Sequence, residues 1–151
     1  MLASGDDLNM IAYVLLFGSA LVAATILPLQ SEAVLVALLA TGDYPVSALI
    51  IVATVGNVLG SVVNWYLGRY LLRFRQRRWF PTTGHQLERA QNWYRRYGRW
   101  SLLGSWLPVV GDPLTVVAGL MREPLFSFFL LVTIAKGTRY FLLAALTLAW
   151  L

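Results

Sequence analysis

A run of about 20 uncharged, mostly apolar residues, 8–27, constrains the fold more than any other feature of the chain. As an α-helix, such a run is about 30 Å long, which matches the hydrocarbon thickness of a bilayer. Residues 44–67 and 124–150 are also long and apolar enough to span. Only 13% of the residues are charged, compared with about a quarter in soluble domains. These features predict an all-α integral membrane protein without a soluble catalytic domain.

Positive charge is concentrated in residues 69–99, which hold nine of the twelve Lys and Arg residues. The positive-inside rule therefore predicts that this loop is cytoplasmic. Within it, Leu87, Ala90, Tyr94 and Tyr97 recur at helical spacing, with arginines on the other faces. This pattern predicts an amphipathic helix that lies on anionic lipid headgroups. Because the cluster lies between spanning segments, we expect lipid and not nucleic acid as its partner.

The side chains needed for several kinds of chemistry are scarce. The chain has no cysteine and a single histidine, His85, which lies in the polar loop and is expected to be solvated. No disulfide, cysteine nucleophile, metal centre or cofactor is therefore expected. Residues 1–7 carry two acids and no Lys or Arg, unlike a secretory signal peptide, so we expect the first apolar segment to be retained.

Two prolines interrupt the apolar pattern, and each is followed four residues later by an acid. Pro28 precedes Glu32, and Pro108 precedes Asp112, which is flanked by Gly111 and Pro113. The apolar arm after each break, 33–41 or 114–121, is only about half as long as a span. We interpret Pro28, Pro108, Gly111 and Pro113 as the breaks of two re-entrant hairpins.

The two halves of the chain correspond at a spacing of 80 residues, which aligns Pro28 with Pro108 and Glu32 with Asp112. We therefore predict one membrane domain, 1–151, that contains repeat 1 (about 8–68), the basic loop 69–99 and repeat 2 (about 100–151). Hairpins entering from opposite sides would make the repeats inverted, an architecture found in transporters. The alternative interpretation is that both broken stretches are kinked full crossings, which gives four spans and two cytoplasmic termini.

Four ionisable residues fall inside the apolar segments: Glu32, Asp112, Lys136 and Arg139. Each would cost about 2.5–3.5 kcal/mol alone at the centre of a membrane helix, so we expect the acids and bases to face one another or a wet cavity. In the functional interpretation, the carboxylates exchange protons while the cations hold a phosphate or a similar anion. The alternative, purely structural interpretations are that each acid caps a helix and that the cations belong to fixed ion pairs.

Small and polar residues recur every four positions along the second span, at Gly56, Gly60, Asn64 and Gly68. This stripe allows close approach of another helix, and packing is the simplest interpretation of it. Asn57 and Asn64 are candidates for the lining of a polar cavity, although a hydrogen bond between helices explains them equally well. A homo-oligomer is compatible with the same stripe.

Four stretches of the chain, taken together, resemble the DedA superfamily of VTT or SNARE-associated domain proteins, and in particular its short YqaA-like branch. They are LPLQSEAVLVALLATG, GNVLGSVVNWYLGR, RYGRWSLLGSWLPVVGDPLTVVAGLMR and KGTRY, which cover nearly the whole chain. The resemblance implies a bacterial inner membrane protein with opposed re-entrant hairpins. It also implies lipid transport, with undecaprenyl phosphate flipped by some bacterial members and phospholipids scrambled by eukaryotic relatives.

The resemblance also carries over to single residues. Glu32 matches the acid after the first hairpin proline, and Pro108 matches the proline of the second hairpin. Larger members carry arginines near the positions of Ser105 and Gly111 and a Pro-Gly pair where this chain has Pro108 and Val109. This departure leads to the hypothesis that Lys136 and Arg139 have taken over the cationic role.

Together, the residues and the resemblance predict a membrane lipid or lipid-phosphate transporter, with the two carboxylates available for proton coupling. An enzyme is not expected, because no nucleophile and base pair lies within the apolar segments. The alternative class is a scaffold or envelope-homeostasis protein that does not transport and uses the glycine stripe and the basic loop to bind partners. Such a protein would not need the buried charges.

Overall fold

The chain is described by a computed structural model that covers residues 5–23, 30–70, 78, 84–108 and 110–151. Pro28 and residues 71–77 and 79–83 of the basic loop lie outside the described residues. Within them the structure is helical and contains no strand. In chain order its helices are α1 Gly5–Ala23, α2 Gln30–Thr41, α3 Val46–Tyr70, α4 Gly84–Tyr97, a 3₁₀ helix Gly98–Trp106, α5 Gly111–Leu120 and α6 Leu125–Trp150.

Three of these helices, α1, α3 and α6, are long and apolar enough to cross a membrane. Each carries exposed large hydrophobic side chains, among them Val14, Ile51 and Phe141, as expected for surfaces that face lipid. In contrast, α2 and α5 have 12 and 10 residues, so they extend only about 18 and 15 Å. The prediction of an all-helical membrane protein with two half-length helices is confirmed.

The buried residues form two cores at opposite ends of the antiparallel pair α3 and α6. One core joins α2 to the start of α3 and the end of α6, through Leu35, Leu49 and Ala144. The other joins α4 and α5 to the end of α3 and the start of α6, where Trp65 and Phe128 are in ring contact. The two short helices therefore occupy opposite ends of the same long pair.

The glycine stripe of α3 lets two different helices approach closely. A Cβ on Gly56 would lie 2.6 Å from the Phe17 carbonyl oxygen of α1, and one on Gly68 would overlap the Val116 carbonyl oxygen of α5. Gly60 is buried as well. Gly56 and Gly68 therefore lie at close contacts between helices, and their faces of α3 are covered within the chain itself.

The amphipathic helix predicted in the basic loop is present as α4, but its environment differs from the prediction. Leu87, Ala90 and Tyr94 are buried in the core that contains Trp65, so this face contacts protein and the expectation that it lies on lipid is wrong. Tyr97, predicted on the same face, is 52% exposed. The physical reason is that α5 and the 3₁₀ helix pack against α4 and offer an apolar surface that the sequence pattern could not reveal.

The second broken stretch consists of two arms of different helix type. Its first arm is the 3₁₀ helix, and Pro108 lies in the turn that leads to α5. A Cβ on Gly111 would overlap the Ser105 carbonyl oxygen, so a glycine is required where the two arms meet. At its other end, α5 closes with a Schellman motif, in which Glu123 N–H donates to the Ala118 carbonyl oxygen at 2.9 Å and Arg122 adopts φ 57°.

The interpretation of Asp112 as a helix N-cap with Pro113 at the first helical position is wrong. The N-cap of α5 is Val110, without a side-chain hydrogen bond, and the helix begins at Gly111. Asp112 and Pro113 are the second and third residues of the helix, where a missing proline N–H leaves no helical hydrogen bond unmade. The Asp112 carboxylate is therefore free to bind a group on another helix.

Candidate functional site

Lys136, near the middle of α6, is buried with 1% of its surface exposed. Its ammonium group donates to Asp112 Oδ1 at 2.9 Å and also to Asn57 Oδ1. Asp112 belongs to the first turn of α5 and Asn57 to the middle of α3. One lysine thus ties three helices together, and it has the paired, hydrogen-bonded environment that a buried charge needs.

Arg139 lies three residues further along α6 and forms the second ion pair. Its Nη2 donates to Glu32 Oε1 in the first turn of α2. This pair is more accessible than the first, with side-chain exposures of 15% for Arg139 and 23% for Glu32. Residues three apart on a helix lie about 5–6 Å from each other, so the two cations form one local cluster.

The first turns of α2 and α5 therefore meet the same short segment of α6. N-terminal turns carry unpaired N–H groups and the positive end of the helix dipole, which favour negative charge. Here that charge is supplied by the Glu32 and Asp112 carboxylates, each of which faces a cation. The four predicted ionisable residues are thus brought together as two neutral pairs.

Polar side chains that support the pairs come from α3, α5 and the start of α2. Asn57 Nδ2 donates to the Ala20 carbonyl oxygen at 3.1 Å, which links the end of α1 to Lys136. Asn64 Nδ2 donates to Thr115 Oγ1 at 3.2 Å, and this hydroxyl donates to the Asp112 carbonyl oxygen at 2.6 Å. Both asparagines make contacts between helices, as one of the two interpretations predicted.

Three further residues at the site were not predicted to belong to it: Ser31, Thr115 and Tyr140. The Ser31 and Tyr140 hydroxyls are hydrogen-bonded at 2.8 Å beside the Glu32–Arg139 pair. Ser31 therefore links α2 to α6. The available signal was proximity in sequence, because Ser31, Tyr140 and Thr115 lie within three positions of Glu32, Arg139 and Asp112, respectively.

A second polar cluster, also missed by sequence reasoning, surrounds Glu123 in the turn between α5 and α6. Tyr94 OH donates to Glu123 Oε2 at 2.5 Å, and Arg99 Nε lies 3.5 Å from Oε1. Trp65 Nε1 donates to the Glu123 carbonyl oxygen at 3.1 Å. Burial raises the pKa of the Tyr94 hydroxyl, and the hydrogen bond to Glu123 raises it further. Glu123 thus connects α3, α4 and the 3₁₀ helix.

The remaining candidate residues are accounted for in the described part of the chain. His85 is exposed, as expected. No group of three or more His, Cys, Asp or Glu side chains within the described ranges is arranged to hold a metal ion. The interaction that the described residues show at this site is charge pairing between carboxylates and cations.

Comparison with known proteins gives a consistent family relationship. The model of the VTT domain matches residues 27–148. The chain is 41% identical over 132 residues to inner membrane protein YqaA of Escherichia coli, covering 87% of this chain and 88% of that protein. It is also 37% identical over 143 residues to a Haemophilus influenzae protein, covering 90% of this chain and 87% of that protein. No solved structure matches the chain.

A more distant match is undecaprenyl phosphate transporter A of Staphylococcus aureus, which is 30% identical over 88 residues. That match covers 53% of this chain and 43% of the transporter. The chain has three candidate spans, and it is similar to an inner membrane protein over most of both chains. It is therefore a multi-pass protein of the bacterial cytoplasmic membrane. The family match over residues 27–148 and the similarity to YqaA show that the chain belongs to the VTT-domain, or DedA, family.

Proposed function

We propose that this protein is a transporter that moves a lipid with a phosphate headgroup across the membrane. The observation that carries the proposal is the pair of ion pairs at the middle of α6, formed with the first turns of two short helices. Lys136 and Arg139 are the proposed anion-binding residues, and Asn57 and Asn64 are proposed to orient the polar groups around them. The carboxylates of Glu32 and Asp112 are the proposed exchangeable partners.

The proposed exchange follows from the charges. A phosphate that reaches the site competes with Glu32 and Asp112 for the same cations and offers equally strong charge-assisted hydrogen bonds. A displaced carboxylate that takes up a proton becomes neutral, which avoids leaving an unpaired charge in a medium of low dielectric constant. Binding of the anion is in this way coupled to proton uptake.

The contacts also support the proposed inverted hairpins within one domain, 1–151. The last turn of α1 reaches Asn57 at the middle of α3, and α2 starts beside Arg139 at the middle of α6. In the second half, the ion pair of Arg99 with Glu123 joins the start of the 3₁₀ helix to the end of α5. In the proposed arrangement, the open end, or mouth, of each hairpin lies at one end of the bundle, and the two mouths lie at opposite ends.

This arrangement and the alternative with four full crossings predict opposite locations for the C-terminal end of α6. With the arginine-rich loop 69–99 cytoplasmic, Leu151 lies outside the cytoplasm, whereas four full crossings would place it inside. A C-terminal reporter that is active on only one side of the membrane distinguishes the two. A cytoplasmic C-terminus would contradict the proposed hairpins.

The class of substrate is supported by the relatives. The name undecaprenyl phosphate transporter A belongs to the matching proteins of S. aureus and Bacillus subtilis. For this chain we propose undecaprenyl phosphate or a phospholipid, because both present a phosphate that fits two neighbouring cations. Anionic headgroups near the arginine-rich loop are the proposed lipid partners at the surface.

The proposal is tested by transbilayer movement of labelled lipid phosphate in vesicles containing the purified protein. Glu32→Gln, Asp112→Asn and Lys136→Met are each expected to lower the transport rate at least about tenfold, because each removes a charge from the exchange. Asp43→Asn, which makes the same change as Asp112→Asn at an exposed carboxylate, serves as the matched control and is expected to retain transport. Full transport by all three site variants would refute the proposed site.

The scaffold alternative requires a surface that binds partner proteins, and the glycine stripe of α3 was one surface predicted for that role. The contacts of Gly56 with α1 and of Gly68 with α5 occupy these parts of that stripe within the chain. A scaffold would show no lipid transport by the wild type and would co-purify with partners after Lys136→Met as before. The transport assay therefore separates the two classes.

A further inference from the structure

A small cleft lies between α3 and α6 at the surface of the helical bundle. It has a cavity volume of about 100 Å³ and is lined by Thr54, Val55, Val58, Leu59, Phe129 and Thr133. Val55, Leu59 and Phe129 are 46%, 40% and 49% exposed. In a membrane-spanning chain, these exposed side chains form a rim in contact with lipid chains.

The accessible wall of the cleft is apolar, but two threonine hydroxyls are buried just beneath it. Among the described residues, neither Thr54 Oγ1 nor Thr133 Oγ1 has a hydrogen-bond partner. A buried hydroxyl without a partner is unfavourable, and the hydrocarbon outside offers no water to satisfy it. Other threonines of the chain behave differently: Thr147 Oγ1 donates to the Leu143 carbonyl oxygen at 2.8 Å.

The position of the two hydroxyls relates them to the ion pair. Thr54 lies three residues before Asn57 on α3, and Thr133 lies three residues before Lys136 on α6. Each threonine is therefore about one helical turn from one partner of the hydrogen bond between Lys136 and Asn57. The helices are close here, since a Cβ on Gly137 would lie 3.7 Å from the Thr54 methyl carbon. A ligand whose phosphate binds Lys136 would thus extend past both threonines as it leaves sideways into the membrane.

The geometry points to this cleft as the binding site for the ester-linked glycerol region of a lipid whose phosphate is held at Lys136. A glycerophospholipid carries ester carbonyl oxygens a few bonds from its phosphorus, and each oxygen can accept a hydrogen bond from a threonine hydroxyl that rotates toward the cleft. Its acyl chains would pass between Val55, Leu59 and Phe129 into the bilayer. This inference rests on the proposed function and adds two residues that select for the ester linkage.

The test compares two probes that differ only in the linkage: ester-linked phosphatidylglycerol and its ether-linked analogue with the same headgroup and chain lengths. The ether analogue keeps the phosphate but lacks the carbonyl oxygens. Retention of each lipid by the purified full chain is measured by native mass spectrometry, which requires no transport. Wild type is expected to prefer the ester probe by about fivefold per hydroxyl, the ratio that one ordinary hydrogen bond provides.

Thr54→Val with Thr133→Val removes both hydroxyls and conserves shape, so the preference is expected to fall to about one. Thr147→Val is the matched control, because it makes the same change on α6 at a satisfied hydroxyl and should preserve the preference. Equal retention of both probes by wild type, or a preference that survives in the double variant, would overturn the inference.

A Lys136→Met arm keeps this test separate from the proposed function. It should weaken retention of both probes equally while leaving their ratio unchanged, since the threonines remain. If Lys136→Met abolishes transport but wild type shows no ester preference, only the cleft inference fails. If Lys136→Met, Glu32→Gln and Asp112→Asn all transport normally, the proposed site fails whatever the ratio is.

Discussion

The two ion pairs of α6 use the same chemistry in different surroundings. The Lys136 side chain is 2% exposed and binds both Asp112 and Asn57, whereas the Arg139 side chain is 15% exposed and binds Glu32. A compact ammonium group is strongly hydrated in water, so its complete burial depends on these partners. The comparison indicates that the lysine pair carries more of the stability and that the arginine pair is easier to open.

The largest expected difference lies between Lys136→Met and Arg139→Gln. Removing one partner of a buried pair costs about 3–5 kcal/mol of unfolding free energy, which applies to Lys136. Arg139→Gln removes a partly exposed charged hydrogen bond, and we expect a loss of about 1.5 kcal/mol. Unfolding of both variants in mixed micelles measures the two values. Equal losses would show that burial does not distinguish the pairs.

The next comparison concerns how closely α1 and α5 approach α3. A Cβ on Gly68 would overlap the Val116 carbonyl oxygen, and one on Gly56 would lie 2.6 Å from the Phe17 carbonyl oxygen. We expect Gly68→Ala to destabilise by about 2–3 kcal/mol and Gly56→Ala by about 1–2 kcal/mol, because backbone atoms must move apart.

Gly18→Ala is the control for this pair of variants. No atom lies within 4 Å of a Cβ at Gly18, which is also helical. Alanine should therefore be neutral or slightly stabilising there through its higher helix propensity. Thermal unfolding in detergent orders the three variants, and a Gly68→Ala protein as stable as Gly18→Ala would disprove the close α3–α5 contact.

The smallest expected effect concerns the mouths of the two broken stretches. Glu123 at the second mouth is buried and accepts the Tyr94 hydrogen bond, while Asp43, which corresponds to it in the first half, is exposed. Tyr94→Phe should lower the unfolding free energy by about 1–2 kcal/mol, since it removes a hydrogen bond to a charged group. Asp43→Asn should change it by less than about 0.5 kcal/mol.

The pH dependence of Tyr94→Phe provides a second readout. Because the pKa of Tyr94 is raised in the folded protein, its contribution is fully present below the unfolded value of about 10. The contribution is lost as pH rises through the raised folded value. The stability difference between wild type and Tyr94→Phe should therefore be constant at neutral pH and shrink in strong alkali. A difference that grows above pH 10 would contradict the assigned hydrogen bond.

Much of the architecture could be predicted because spans, half-length arms and buried charges follow from apolar length and transfer free energy. The predicted span 44–67 corresponds to α3 Val46–Tyr70, and the charge balance correctly indicated that acids and bases pair. Which acid meets which cation was not predictable, because that depends on how α2 and α5 are placed along α6. The same limit explains the error at α4, whose apolar face pattern is identical for lipid and for protein contact.

The Glu123 cluster shows a different limit. Tyr94, Arg99 and Trp65 are far from Glu123 in sequence, and no spacing rule links them before the fold is known. Helix capping was kept as an alternative for Asp112 because Asp followed by Pro is common at helix starts. The structure instead directs its carboxylate to Lys136, which no local preference could indicate.

The central claim, that the paired charges bind the transported headgroup, is tested most directly by the double variant Asp112→Asn with Lys136→Met. Removing both charges leaves no unpaired ion, so the double variant should recover most of the stability lost in Lys136→Met alone. Transbilayer movement of lipid phosphate is then measured in vesicles that contain equal amounts of folded protein. We predict a folded protein without transport, and a double variant that transports at the wild-type rate would contradict the account.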